Sequence, residues 1–171
     1  GCSRWQYARQ FAIYDDKIYL ADTYGHRIKV LNLNGGCIWN NGARFYYPHA
    51  IAVGSSYVYV GHNNSYISLY RNSSGVNQAG VYNAGSNLSY SWGMSLNSAG
   101  NRLAIADYLK NRVVEFTVSG QSISYSQASS TSYSSSNGYF NRPTDAAYDS
   151  SGNIYALDLN NHRIQKFNSS L

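Results

Sequence analysis

The chain has 171 residues, enough for one packed domain that buries roughly two-thirds of its unfolded surface. Only 12% of residues are charged while 18 are Tyr, so hydroxyls and amides must supply much of the wet surface. The net charge of +5 comes from nine Arg and four Lys scattered singly, which argues against a nucleic-acid partner, and no apolar run is long enough for a membrane-spanning helix.

The first nine residues after Gly1, CSRWQYARQ (2–10), have the length and Trp content of a single strand. Next come FAIYD, KIYLAD, RIKVLN and GGCIWNNG, four strand-like runs within about 11–42. The same succession returns as AIAVGS, YVYVGH, YISLYR and GVNQAGVYN within about 45–86. It returns again as GMSLNS, RLAIAD, RVVEFTV and QSISYSQAS within about 91–136. A last set, DAAYDS, NIYALD and RIQKFN, fills about 139–171 and stops one strand short. The apolar residues that open each third strand, Ile28, Ile67, Val113 and Ile164, stand 39, 46 and 51 residues apart. Gly and Asn turns such as NSAGN and DSSGN separate first from second strands.

Periods of about 40 residues with four short strands each predict an all-β chain. The expected fold is a β-propeller of four four-stranded antiparallel blades in a single domain, 1–171. Such a sheet cannot bury its faces alone, so blades must pack on one another. Strand 2–10 is then expected to complete the fourth blade, Trp5 standing where Trp39 stands in the first, and so to close the ring or to complete the last blade of a neighbouring subunit.

The stretches PHAIAV, IYLADTYGHRIKV and IYALDLNNHRIQKF resemble the NHL repeat, named for its Asn-His-Leu signature. The D-x-x-x-H-R-I core recurs in register and the resemblance extends over nearly the whole chain. It implies a β-propeller but no single function, since related propellers bind RNA, proteins or glycans, act at the cell surface, or host metal-dependent lyase chemistry. Two departures stand out. Four repeats are fewer than the six blades common in the family, and in VYVGHNNSYISLY Gly61 replaces the Asp and Tyr66 the Arg.

Asp22 with Arg27, Asp107 with Arg112 and Asp158 with Arg163 stand five apart across each hairpin, as expected of a structural lock, because a reactive site does not need three copies. His26 and His162 share a loop position while His49 and His62 do not, which speaks for loop shaping over a metal centre; no cofactor is expected. No G-x-S-x-G elbow or phosphate loop is present, so the chain reads as a non-enzyme. The candidate ligand-binding residues are those of the loops between second and third strands: Tyr24, His26, His62, Tyr66, Tyr108, Lys110, Asn160 and His162. The Ser-rich SSTSYSSSNGYF reads as a long loop without a site.

Cys2 and Cys37 are the only cysteines, and a bond within the chain and a bond between chains both stay open. Sequons at Asn63, Asn72, Asn87 and Asn168, with the charge-poor composition, point to an extracellular or cell-surface protein. The expected function is a non-catalytic interaction module binding a protein or glycan through its loops. Alternatives are a structural subunit of an extracellular fibre or virion assembled by strand exchange, hence a homo-oligomer, and a propeller that binds single-stranded RNA.

Overall fold

The computed structural model describes residues 4–40, 46–72, 78–130, 132–168 and 171. Among these described residues, fifteen strands form four antiparallel sheets. Blade 1 holds β1 (Ala8–Tyr14), β2 (Lys17–Asp22), β3 (Arg27–Asn32) and β4 (Cys37–Asn40), and blade 2 holds β5 (Pro48–Val53), β6 (Tyr57–His62), β7 (Tyr66–Arg71) and β8 (Gln78–Asn83). Blade 3 holds β9 (Ser91–Leu96), β10 (Arg102–Asp107), β11 (Arg112–Ser119) and β12 (Ser122–Ala128). Blade 4 holds β13 (Pro143–Tyr148), β14 (Ile154–Asp158) and β15 (Arg163–Phe167). Each sheet runs in chain order, so the molecule is the expected four-bladed β-propeller.

Small and branched residues on facing sheets make the core. Tyr19, Ala21, Ile28 and Val30 of blade 1 pack on Ile51, Val58, Val60 and Tyr70 of blade 2. Met94, Leu103 and Phe116 join blade 3 to Ala50, Tyr59, Ile67 and Leu69, and Ala104 and Val113 meet Ala146, Ile154 and Ala156 of blade 4. Glu115, buried between the last two blades, binds Arg102 at 2.5 Å and accepts the Tyr148 hydroxyl at 2.5 Å and the Gln127 amide at 2.6 Å. That hydroxyl is held protonated, its pKa pushed well up by burial and by the Glu115 carboxylate.

Blade 4 does not receive the N-terminal strand. Among the described residues its sheet has three strands, and residues 8–10 belong to β1 at the inner edge of blade 1. The segment before β1 is held by blade 1 itself: the Gln6 amide donates to Asp22 Oδ1, and Arg27 and Lys29 donate to the Arg4 carbonyl. Trp5 lies largely exposed beside Lys29, with 5.3 Å from Nζ to the ring centroid, and not in an outer strand like Trp39. Residues 2 and 3 of the expected strand, and the blade boundaries placed at 42 and 45, lie outside the described residues.

Inner strands pack in sequence, β1 on β5, β5 on β9 and β9 on β13, but β13 does not pack side by side with β1. The outward faces of blades 1 and 4 are therefore left open.

Candidate functional site

The three Asp–Arg pairs form as expected, at 2.8 Å for Asp22 and Arg27, 3.2 Å for Asp107 and Arg112 and 2.9 Å for Asp158 and Arg163. Each Asp is fully buried and does more than brace its hairpin. It also accepts the backbone N–H of the segment entering its own blade's inner strand, from Gln6, from Ser89 and Tyr90, and from Asn141. The Arg holds the carbonyls of the same segment: Arg27 that of Arg4, Arg112 that of Ser86, and Arg163 those of Ser135, Ser136 and Tyr139. The Ser-rich stretch is thus a pinned entry segment over its described residues. Gln165 adds a bond to the Tyr139 carbonyl at 2.7 Å, and Asn161 one to Ser134 at 2.9 Å.

His26, Asn111 and His162 share the left-handed conformation with φ of 51°, four residues after the Asp. Asn and His tolerate that region better than most side chains, which explains their choice there without any ligand.

Blade 2 corrects the sequence alignment. Gly61 pairs with Ile67 as Ala21 pairs with Ile28, so His62, not Gly61, occupies the place of the Asp. The loop is one residue shorter and has no left-handed position. His62 is buried, its Nδ1 3.0 Å from the Tyr46 carbonyl and its Nε2 2.8 Å from Ser68 Oγ, so it serves as that blade's lock and not as an exposed binding group. Burial pushes its pKa down. Gly61 is required for another reason: a Cβ there would meet Ser91 and Met94 of blade 3.

The loop residues fall into two aromatic groups. Tyr24 contacts Tyr7 and Tyr47 at 5.2 and 5.7 Å between centroids, and His26 contacts Tyr47 at 4.4 Å, with exposed Tyr46 5.0 Å from Tyr47. Tyr108 stacks on Trp92 at 4.3 Å and receives Arg142 Nη1 on its hydroxyl at 3.1 Å. Arg9 joins the two groups, its guanidinium 4.3 Å from the Trp92 ring centroid and 5.3 Å from that of Tyr7. Tyr66, Lys110, Asn160 and His162 belong to neither group among the described residues. Lys110 donates to the Ser86 carbonyl, Asn160 Nδ2 donates to Asn141 Oδ1 at 3.1 Å, and Tyr66 and His162 are exposed.

Residues that sequence reasoning missed form the centre of this face. Every inner strand carries one extra residue, a β-bulge, at Arg9, His49, Trp92 and Thr144, as the register shifts opposite the second strand show. A bulge re-aims the side chain at its position, and four in register surround the mouth of the central channel. The residues two before them, Tyr7, Tyr47, Tyr90 and Arg142, form the rim, and three of these take positive φ of 62°, 45° and 56°. Left-handed backbone at bulky residues costs on the order of 1–2 kcal/mol each, strain that concentrates at binding sites.

One layer below, Gln10 bridges the channel. Its Oε1 accepts from Ile51 N at 2.8 Å and Met94 N at 3.2 Å, and its Nε2 donates to Met94 O at 3.1 Å and Asp145 Oδ1 at 3.2 Å. Burial pushes the Asp145 carboxyl above its ordinary range. Past this bridge a cavity of about 500 Å³ opens between the other ends of the inner strands, lined by Tyr14, Val53, Leu96 and Ala147.

At the mouth, Arg9 Nε and His49 Nδ1 are buried and meet no hydrogen-bond partner among the described residues. His49 Nε2 lies 3.1 Å from the Tyr90 hydroxyl, and its pKa is pushed down to about 4 by burial, with Arg9 and His62 adding to the effect. The layer therefore offers one fixed cation, one neutral imidazole and stacked rings. No group of three His, Cys, Asp or Glu side chains able to hold a metal occurs among the described residues.

Of the sequons, Asn72 is engaged on both side-chain atoms, accepting Tyr19 Oη at 2.5 Å and donating to Gly54 O at 2.9 Å; Asn63 and Asn87 are half-buried and Asn168 is exposed. Cys37 is disulfide-bonded, while Cys2, the other cysteine of the chain, lies outside the described residues.

The NHL-repeat family model matches residues 140–167, which run from Phe140 through all of blade 4. No curated protein matches the chain. The chain is thus a four-bladed β-propeller whose fourth blade matches the NHL repeat and whose first and third blades carry the same Asp–Arg lock.

Proposed function

We propose that this protein is a non-catalytic interaction module whose contact surface is the aromatic mouth at the lock end of the propeller, and that it takes a segment of a protein partner presenting a carboxylate. An NHL propeller suggests protein interaction in general terms. The observation that carries the finer reading is the set of four bulges that aims Arg9, His49 and Trp92 into one opening ringed by Tyr7, Tyr24, Tyr47, Tyr90 and Tyr108. Desolvated Arg and aromatic side chains are the usual anchors of protein interfaces, and a guanidinium over an indole keeps its N–H edge free for a carboxylate. The disulfide at Cys37 supports a secreted or surface location. Flat rings beside polar groups suit a glycan as a second reading.

Arrays of acidic peptides and of glycans, probed with the folded chain, test this. Binding concentrated on acidic peptides and weakened at least tenfold by Tyr24→Ala with Tyr46→Ala, both exposed, is the expected result. Signal confined to glycans favours the second reading, and absence of binding on both arrays removes the proposal. Retention of single-stranded RNA at about 50 mM salt, lost at higher salt, would instead indicate an RNA-binding propeller.

A further inference from the structure

The cavity of about 500 Å³ beyond the Gln10 bridge takes its walls from all four blades, with Phe11 and Tyr14 from blade 1, Val53 from blade 2, Leu96 from blade 3 and Ala147 from blade 4. Phe11, 60% exposed, gives it an aromatic wall between blades 1 and 4. Asp145 is the one carboxyl among the lining residues, and no Arg, Lys or His lines the space. The Gln10 amide offers a ligand nothing, because its oxygen already accepts two N–H groups and its nitrogen already donates twice. Asp145 differs. Its Oδ1 accepts from Gln10 Nε2 at 3.2 Å and from Ala146 N at 3.0 Å, while Oδ2 has no donor among the described residues. The buried carboxylates Asp22, Asp107, Glu115 and Asp158 each hold an Arg within 3.2 Å; Asp145 has no such cation among the described residues. Burial without a counter-ion is what pushes its carboxyl up.

We infer that this cavity binds a small organic ammonium, its nitrogen on Asp145 Oδ2 and its apolar body against Phe11, Val53 and Leu96. A carboxylate drawn partly out of water gains most from a cation brought to it, and an ammonium N–H on a carboxylate oxygen is among the stronger hydrogen bonds. The Phe11 and Tyr14 rings add faces on which a cation or an aryl group rests. The volume suits a small molecule, whose sites run from about 300 to 1,000 Å³ with mostly apolar walls and few polar groups. A single carboxylate is too few for a divalent metal, which takes several oxygen ligands. The site lies across the Gln10 bridge from the aromatic mouth and does not depend on what the mouth takes.

Phenethylamine, its neutral counterpart phenylethanol and N-acetyl-lysine methylamide, each titrated into the isotope-labelled chain and followed by NMR, test the inference. Phenethylamine at about 1 mM is expected to shift the amides of Phe11, Val53, Leu96 and Ala147 and to leave those of Tyr7 and Trp92 in place. Phenylethanol on the native chain, and phenethylamine on Asp145→Asn, are each expected to bind more weakly by about tenfold or more. Asp145→Asn keeps an oxygen for Gln10 and for the Ala146 amide while removing the charge. If that variant does not fold, Ala147→Trp, at an exposed position on the cavity wall, fills the space with Asp145 in place and is expected to abolish the shifts. Equal binding of phenylethanol, undiminished binding by either variant, shifts at the mouth or no shifts at all overturn the inference. Tighter binding of the lysine derivative than of phenethylamine also overturns it, by pointing to a protein side chain as the occupant.

Discussion

Asp158 and Arg163 face one another across the last hairpin at 2.9 Å, the Asp fully buried, and between them they hold both the amide of Asn141 and the carbonyls of Ser135, Ser136 and Tyr139. One ion pair therefore fixes a hairpin and the chain that leads into the blade. Removing the cation leaves a buried carboxylate without its counterion and the Ser135 and Ser136 carbonyls without the donor Arg163 supplied, which costs about 3–5 kcal/mol. Arg163→Ala is expected to lower the denaturant midpoint accordingly and to expose residues 132–139 to rapid amide exchange, read by hydrogen-exchange mass spectrometry. Arg71→Ala, at an exposed strand end, is expected to change stability by under about 0.5 kcal/mol.

His49 and His62 are both held neutral by burial, His49 with a pKa of about 4. The unfolded chain, with imidazoles near 6.5, binds more protons than the folded one between about pH 6.5 and 4, so stability falls as pH falls through that window. His49 alone accounts for up to roughly 3 kcal/mol at pH 4. The groups around it, Arg9, His62 and the Tyr90 hydroxyl, provide no carboxylate to offset the loss. Urea melts at pH 7 and pH 4.5 are expected to show it, with a flatter pH profile in His49→Gln.

Gly93 lies where a Cβ would run into the Thr144 carbonyl at 2.7 Å and into the Asp145 backbone at 2.9 Å. Backbone cannot swing aside as a side chain does, so Gly93→Ala is expected to force blades 3 and 4 apart at the channel at a cost of about 1–3 kcal/mol or more. Gly80→Ala, with nothing within 4 Å, is expected to be tolerated; thermal melts of the pair compare the two.

Cys37 is disulfide-bonded, and the chain has one other cysteine. Peptide mapping without reductant is expected to recover the peptide of Cys37 joined to that of Cys2. Reduction is expected to lower stability by about 2–4 kcal/mol.

The repeats, the strands and three of the four locks were legible in the sequence because they rest on short-range chemistry. Alternation fixes which residues make a strand. An Asp and an Arg five apart meet across any hairpin of that length, and a residue tolerant of positive φ must stand just before the Arg. His62 was misplaced by one because its loop drops that residue, and only pairing with β7 shows where the count changes. The bulges at Arg9, His49, Trp92 and Thr144 leave no mark in an alternating pattern, since one extra residue looks the same as a shifted strand. Only convergence of four inner strands makes those residues neighbours. Likewise Phe11 and Ile164 read as ordinary core positions, because alternation reports which side of a strand is apolar but not whether another sheet covers it. The angle between blades decides that coverage, a property of packing between sheets far apart in sequence, and so tertiary structure alone left blades 1 and 4 with open faces.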